Sequence, residues 1–203
     1  PNIMVIEEID FDDPDHFMYA NGIKEFVEQY HLNPYEAGFN FRRIFGTNDE
    51  ADQYYNTPRT WYGHKLFTPS NHYGPTSLDI PFFERPDKKI AVEDVEFFLS
   101  SHYNGTRYDP TGSYASGDAN DQRKFRSIAL DGNQSSCITQ IRNDVPAEYA
   151  AIQWINFGFF AYSPYVPFFT NINDTPAAYD HAGNEVDDSA YWLQKRLEVL
   201  VEP

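Results

Sequence analysis

The sequence predicts a single α+β domain, and three observations carry that expectation. Tyr149–Ile172, YAAIQWINFGFFAYSPYVPFFTNI, is the densest apolar and aromatic stretch of the chain. It divides into two segments with the residue types and lengths of strands in a buried sheet, each too short to span a membrane. Helical periodicity appears elsewhere, after Pro14, after Ala91 and after Ser189, in runs separate from that stretch.

At 203 residues the chain is long enough to bury a sizeable core and is most simply one domain, residues 1–203. Lys and Arg total 15 against 31 Asp and Glu, a net charge of −16. Such a field repels phosphate backbones and anionic lipid heads, so neither nucleic acid nor a membrane surface is expected as partner. Aromatic residues make up 17% of the chain, too many for a disordered polymer. The single cysteine, Cys137, excludes an internal disulfide framework and a multi-cysteine metal site, and fits a reducing, cytoplasmic setting. The opening PNIMVIEEID has no basic start followed by an apolar run, and so does not read as a secretory leader.

In chain order, Ile3–Ile9 alternates loosely and reads as a strand. Asp13 is a good N-cap, Pro14 suits a first helical position, and Phe17, Ile23, Phe26, Val27 and Tyr30 recur at helical spacing, predicting a helix to about Tyr30. Residues 33–46 read as a loop with aromatic anchors, and 49–56 as a short helix stopped by Pro58. Residues 57–85 carry four prolines, two glycines and many rings without a sustained period, and are expected to be ordered but irregular. A second helix begins at Ala91–Asp94, closed by Gly105, and a polar loop covers 106–121. Asp131-Gly132 between Phe125–Leu130 and Ser136–Ile141 predicts a hairpin. Ala150–Phe157 and Tyr165–Thr170 are the strands of the aromatic stretch, broken by Gly158, with Pro164 and Pro167 marking the second as a strand start or edge. Ser189 caps a last helix whose apolar residues are Trp192, Leu193, Leu197 and Leu200.

No local motif supplies chemistry. The six histidines include no HExxH and no pair on one helix face, so no metal and no cofactor are expected. Asp10, Asp12, Asp13 and Asp15 lack the glycine and distal Glu of a calcium loop, and capping explains Asp13 and Asp15. Cys137 falls within a strand with no neighbouring His, which favours a buried structural thiol over a nucleophile. The aromatic wealth leaves open a non-catalytic module that binds peptides or glycans, and Cys137 leaves open an autonomous thiol hydrolase.

An ordered series of stretches narrows these alternatives. EIDFDDPD (8–15), WYGHKLF (61–67), RPDKKI (85–90) with VEDV (92–95), HYNGTRYDP (102–110), FRSI (125–128), NQSS (133–136), the Trp154 segment with YVP (165–167), and SAYWL (189–193) together resemble bacterial peptidase family C69, of the dipeptidase A type. The resemblance covers nearly the whole chain. It implies an N-terminal-nucleophile hydrolase, a layered αββα sandwich related to penicillin V acylase and bile salt hydrolase. An N-terminal cysteine freed by processing is there the thiol nucleophile, with its own α-amino group as base. Residue 1 is Pro here, so no nucleophile is expected within these residues. The chain is then the middle-to-late portion of such an enzyme, inactive alone, incomplete as a sandwich, and prone to self-association or to contact with the missing N-terminal part. The implied substrate is a short unblocked dipeptide. By the same resemblance Asn2 corresponds to an oxyanion-stabilising asparagine, and Arg126, or secondarily Arg123, to the arginine that steadies the nucleophile or the substrate carboxylate.

Overall fold

The computed structural model describes residues 7–34, 38–47, 49–81 and 83–201. Helices and one small antiparallel sheet make up the described fold, an α+β arrangement. The expected first strand lies mostly outside the described residues; where it ends, Glu8 forms an isolated bridge with Asn40.

Helix α1 spans Ile23–Gln29, a much shorter helix than the capping pattern at Asp13 predicts. The Asp13 carboxylate is taken by His16, whose Nδ1 lies 2.8 Å from Oδ2, and the chain makes one turn, Phe17 N–H to the Asp13 carbonyl, before stopping. Gly22, in the left-handed region at φ 80°, resets the direction, so only Val27 of the expected face is buried while Phe26 and Tyr30 remain exposed. Helix α2, Phe41–Phe45, is a short insertion into the expected loop, capped by the Asn40 side chain. Helix α3, Asp52–Tyr55, runs almost directly into α4, Thr57–Phe67.

Pro58 therefore opens a helix where the sequence suggests a stop. Its missing N–H falls in the first turn, where no intrahelical partner exists. The apolar residues of α4 do not gather on one stripe, which hides the helix from a periodicity search. Tyr62 on α4 joins Tyr103 and Phe125 in one buried cluster, with Trp61, Phe98 and Tyr108 packed around it. Of the stretch 57–85 expected to be irregular, 57–67 is helical, whereas the described residues 68–81 and 83–85 are irregular as expected, and a polar knot holds part of them. His64 on α4 meets Glu84 Oε2 at 2.6 Å through Nδ1 and the Pro81 carbonyl at 2.9 Å through Nε2, while Thr68 and Tyr73 donate to the same carboxylate. Helix α5, Val92–Leu99, ends several residues before Gly105. Helix α6, Ala119–Gln122, is one turn capped by Asp118.

The sheet has the order β1–β2–β3, with β1 Ser135–Ile141, β2 Ala151–Phe157 and β3 Val166–Phe169. Pairing is antiparallel, with Cys137 opposite Ile155 and Trp154 opposite both Ile138 and Pro167. The strands expected in the aromatic stretch are present, and Pro167 lies in an edge strand, where a missing donor is tolerated. Gly158, at φ 73°, turns the chain out of β2 and lets Phe159 and Phe160 fold under, against Ala129.

The hairpin expected at Asp131-Gly132 is not formed. Residues 125–130 do alternate, with Phe125, Ser127 and Ala129 buried, but their backbone bonds go to helix ends: Arg126 N–H to the Tyr54 carbonyl and Ala129 N–H to the Ser101 carbonyl. Asp131-Gly132 is a turn closed by Asn133 N–H on the Leu130 carbonyl, and β1 pairs instead with β2. Cys137, expected to be buried, is a free exposed thiol on the outward face of β1. Helix α7, Ala190–Val201, starts at Ser189 as expected, but its phase is inverted: Gln194 and Glu198 point inward, and Leu193, Leu197 and Leu200 point out.

Candidate active site

The stretch His102–Pro110 is a built loop. Tyr103 is fully buried yet adopts φ 67°, and Gly105 follows at φ 73°, so the chain doubles back within a few residues. Thr106 locks the turn, its N–H and its hydroxyl both donating to the Tyr103 carbonyl. The reversal brings His102 and Asp109 together, with Nδ1 donating to Oδ1 at 2.8 Å and both side chains buried. The same Oδ1 accepts the Thr111 N–H at 3.0 Å and the Thr111 hydroxyl at 2.7 Å. Burial pushes the Asp109 carboxyl upward, but the hydrogen bonds from Thr111 and the facing His102 outweigh it, and the group ends below its ordinary value. Among the described residues Oδ2 is buried without a hydrogen-bond partner, and the Ser113 hydroxyl also favours the ionised form.

From this loop the Tyr103 phenol donates to the Arg126 carbonyl at 2.6 Å, and burial pushes that phenol well above its ordinary value. Arg126 is gripped on its other side too, by its N–H on the Tyr54 carbonyl, and its guanidinium lies 5.7 Å from the centre of the Tyr55 ring. Its side chain is exposed. Arg59 stands close by on α4, fixed through Nε to the Tyr55 carbonyl at 2.7 Å and through Nη2 to Asn56 at 2.9 Å. Burial lowers the Arg59 pKa, as does the Arg126 charge, while ionisation of Tyr103 would oppose this. Arg59 and Arg126 thus lie near enough for their charges to interact.

A cavity of about 310 Å³ opens beside the loop, lined by His102, Thr111, Ser127, Phe159 and Tyr162 among others. Of the residues expected at the site, Arg126 is held in place by its backbone, whereas Arg123 is exposed, its N–H bonds the Asp121 carbonyl at the end of α6, and its guanidinium makes no hydrogen bond or ion pair among the described residues. Asn2 lies outside the described residues. Arg59, Tyr103 and the His102–Asp109 pair went unassigned from sequence. The signal for the last was the HYNGTRYDP spacing, in which a glycine turn separates a His from an Asp seven residues on. Among the described residues no group of three or more His, Cys, Asp or Glu side chains is arranged to hold a metal ion.

The profile of peptidase family C69 matches residues 1–203. The chain belongs to peptidase family C69. Curated relatives agree with that placement. A "Probable dipeptidase" of Latilactobacillus sakei is 46% identical over 202 residues, covering 99% of this chain and 42% of the relative. A "Probable dipeptidase B" of Lactococcus lactis subsp. lactis is 44% identical over 206 residues, 98% of this chain and 42% of the relative. "Dipeptidase A" of Lactobacillus helveticus is 40% identical over 195 residues, 96% of this chain and 41% of the relative. The chain thus spans about two fifths of the length of these C69 relatives. No helix among the described residues is long and apolar enough to cross a membrane.

Proposed function

We propose that this chain is the scaffold and anion-binding portion of a C69 cysteine dipeptidase that hydrolyses short unblocked peptides, with the nucleophile contributed by polypeptide outside these residues. The observation that carries this is the family match along the whole chain, joined by relatives that are named dipeptidases. The single cysteine of the sequence supports the second half: Cys137 is mid-strand and exposed, and its thiol makes no hydrogen bond among the described residues, a poor setting for an activated nucleophile. The N-terminal-nucleophile sandwich needs a second layered sheet, and the described strands supply one small sheet.

In that mechanism the α-amine of the N-terminal cysteine takes the thiol proton, and the sulfur attacks the peptide carbonyl carbon. The carbonyl electrons move onto oxygen, where Asn2 donates a hydrogen bond to the oxyanion. As the carbonyl reforms, the carbon–nitrogen bond breaks and the amine product leaves with the proton; water then hydrolyses the thioester. Arg126 acts beside this chemistry, pairing with the substrate carboxylate or steadying the nucleophile. Tyr54 and Tyr103 hold its backbone, and the Tyr55 ring faces its guanidinium, which supports such a role.

The test measures dipeptide hydrolysis by a fusion of this chain with the flanking segments of the L. sakei relative. Arg126→Ala is expected to lower kcat/KM by about 10- to 100-fold, the loss of one charge-assisted contact of roughly 1.5–3 kcal/mol. Arg123→Ala should leave it within about twofold, as expected of an exposed cation without a partner. An unchanged kcat/KM in Arg126→Ala would remove Arg126 from the site.

A further inference from the structure

Helix α7 spends its polar residues on the protein and its apolar residues on solvent. Gln194 Oε1 accepts the Phe157 N–H at 2.6 Å, and Glu198 Oε2 accepts the Phe159 N–H at 3.4 Å together with Lys195 Nζ at 2.9 Å. Those bonds finish the backbone where β2 ends at Gly158, so the inward phase is fixed by hydrogen bonding. The opposite face is left with Leu193, Leu197, Val199 and Leu200, the last two 77% and 81% exposed. An apolar groove of about 430 Å³ runs along this side, lined by Val186, Trp192, Val199 and Leu200, with Lys195 and Arg196 at its rim. Apolar side chains gathered on one side of a helix, here interrupted only by Arg196, normally mark a surface that is covered.

We propose that this face of α7 seats an apolar, acid-flanked segment of the same polypeptide, drawn from the more than half of each C69 relative's length that lies outside the matched stretch. Two observations select that occupant. A second copy would bring another net charge of −16 to the contact, which opposes self-pairing. Of the two cations, Lys195 is taken by Glu198 at 2.9 Å, whereas Arg196 meets only the exposed Asp188 at 3.5 Å, so an incoming carboxylate finds a partner at Arg196. The proposal uses the family's length and not its chemistry, and its test reads protection and fluorescence, so it can fail while dipeptidase activity stands.

Amide hydrogen exchange over residues 190–201 is compared in the chain alone and in a fusion with the flanking segments of the L. sakei relative. Exchange is expected to slow by about tenfold or more in the fusion. Leu200→Asp should abolish the slowing without altering the circular dichroism of the chain alone, because that side chain is already in water. A second arm does not depend on the fusion folding: the flanking polypeptide is titrated onto Leu200→Cys, in a Cys137→Ser background, carrying an environment-sensitive dye. Saturable blue-shifted emission is expected. Equal exchange with and without the flanks, emission that does not change, or a chain that alone sediments as a dimer with α7 already protected would each overturn the proposal.

Discussion

Replacing Asp109 separates the work of its oxygen from the work of its charge. Oδ1 accepts three hydrogen bonds, from His102 Nδ1, Thr111 N–H and the Thr111 hydroxyl, in a site with no solvent exposure. Asp109→Asn keeps an acceptor oxygen in the same place and loses only the charge, an expected cost of about 1–2 kcal/mol. Asp109→Ala removes the acceptor and leaves two buried N–H donors stranded; the hydroxyl can rotate away. At about 1–3 kcal/mol for each stranded donor, the expected loss is roughly 3–5 kcal/mol. Urea unfolding followed by tryptophan fluorescence measures both, and an unchanged slope with denaturant marks the shift as one of stability. The wild-type chain carries a pH signature as well. The folded carboxyl sits below its ordinary value, so its contribution is fully present above the unfolded pKa of about 3.9 and is lost as pH falls through the lower folded value. Asp109→Asn should lose that part of the acid dependence. Equal costs for Asn and Ala, or a cost under about 1 kcal/mol for Ala, would show that the His102–Asp109 contact does not hold this loop.

Three further outcomes follow from the same geometry. Tyr103→Phe leaves the Arg126 carbonyl without its buried donor and should cost about 1–3 kcal/mol in thermal or urea unfolding. Gly158→Ala places a side chain at φ 73°, with its Cβ 3.4 Å from Lys195 Cδ, and should destabilise by about 1–2 kcal/mol in the same assays. The native chain should present one thiol to Ellman's reagent at the rate of a free cysteine, since Cys137 is exposed; protection that vanishes only on unfolding would contradict the outward placement of β1 alternate residues.

What the sequence disclosed, and what it did not, divides along physical lines. Strands β2 and β3 were legible because β-branched and aromatic residues fill them and because Gly158 and Pro167 punctuate them. The alternation of 125–130 was equally legible, but alternation reports which side chains are buried and not where the backbone bonds go; these went to Tyr54 and Ser101 carbonyls distant in sequence. Pro58 misled because proline both ends helices and begins them, and α4 buries residues on several sides. The face of α7 inverted because two side-chain acceptors, Gln194 and Glu198, complete the end of β2. At the candidate site Arg126 was named through family resemblance alone, whereas its grip by Tyr54, Tyr55 and Tyr103 and its neighbour Arg59 depend on the turn at Tyr103, a left-handed tyrosine that no propensity favours.

Hydrolysis of an unblocked dipeptide by the unextended chain, set beside the fusion bearing the L. sakei flanks, decides whether the nucleophile comes from elsewhere. No release of free amino acid by the chain alone is expected, with turnover appearing in the fusion and surviving Cys137→Ser. Turnover by the chain alone that disappears in Cys137→Ser would place the reacting thiol on β1 and contradict the mechanism proposed for it.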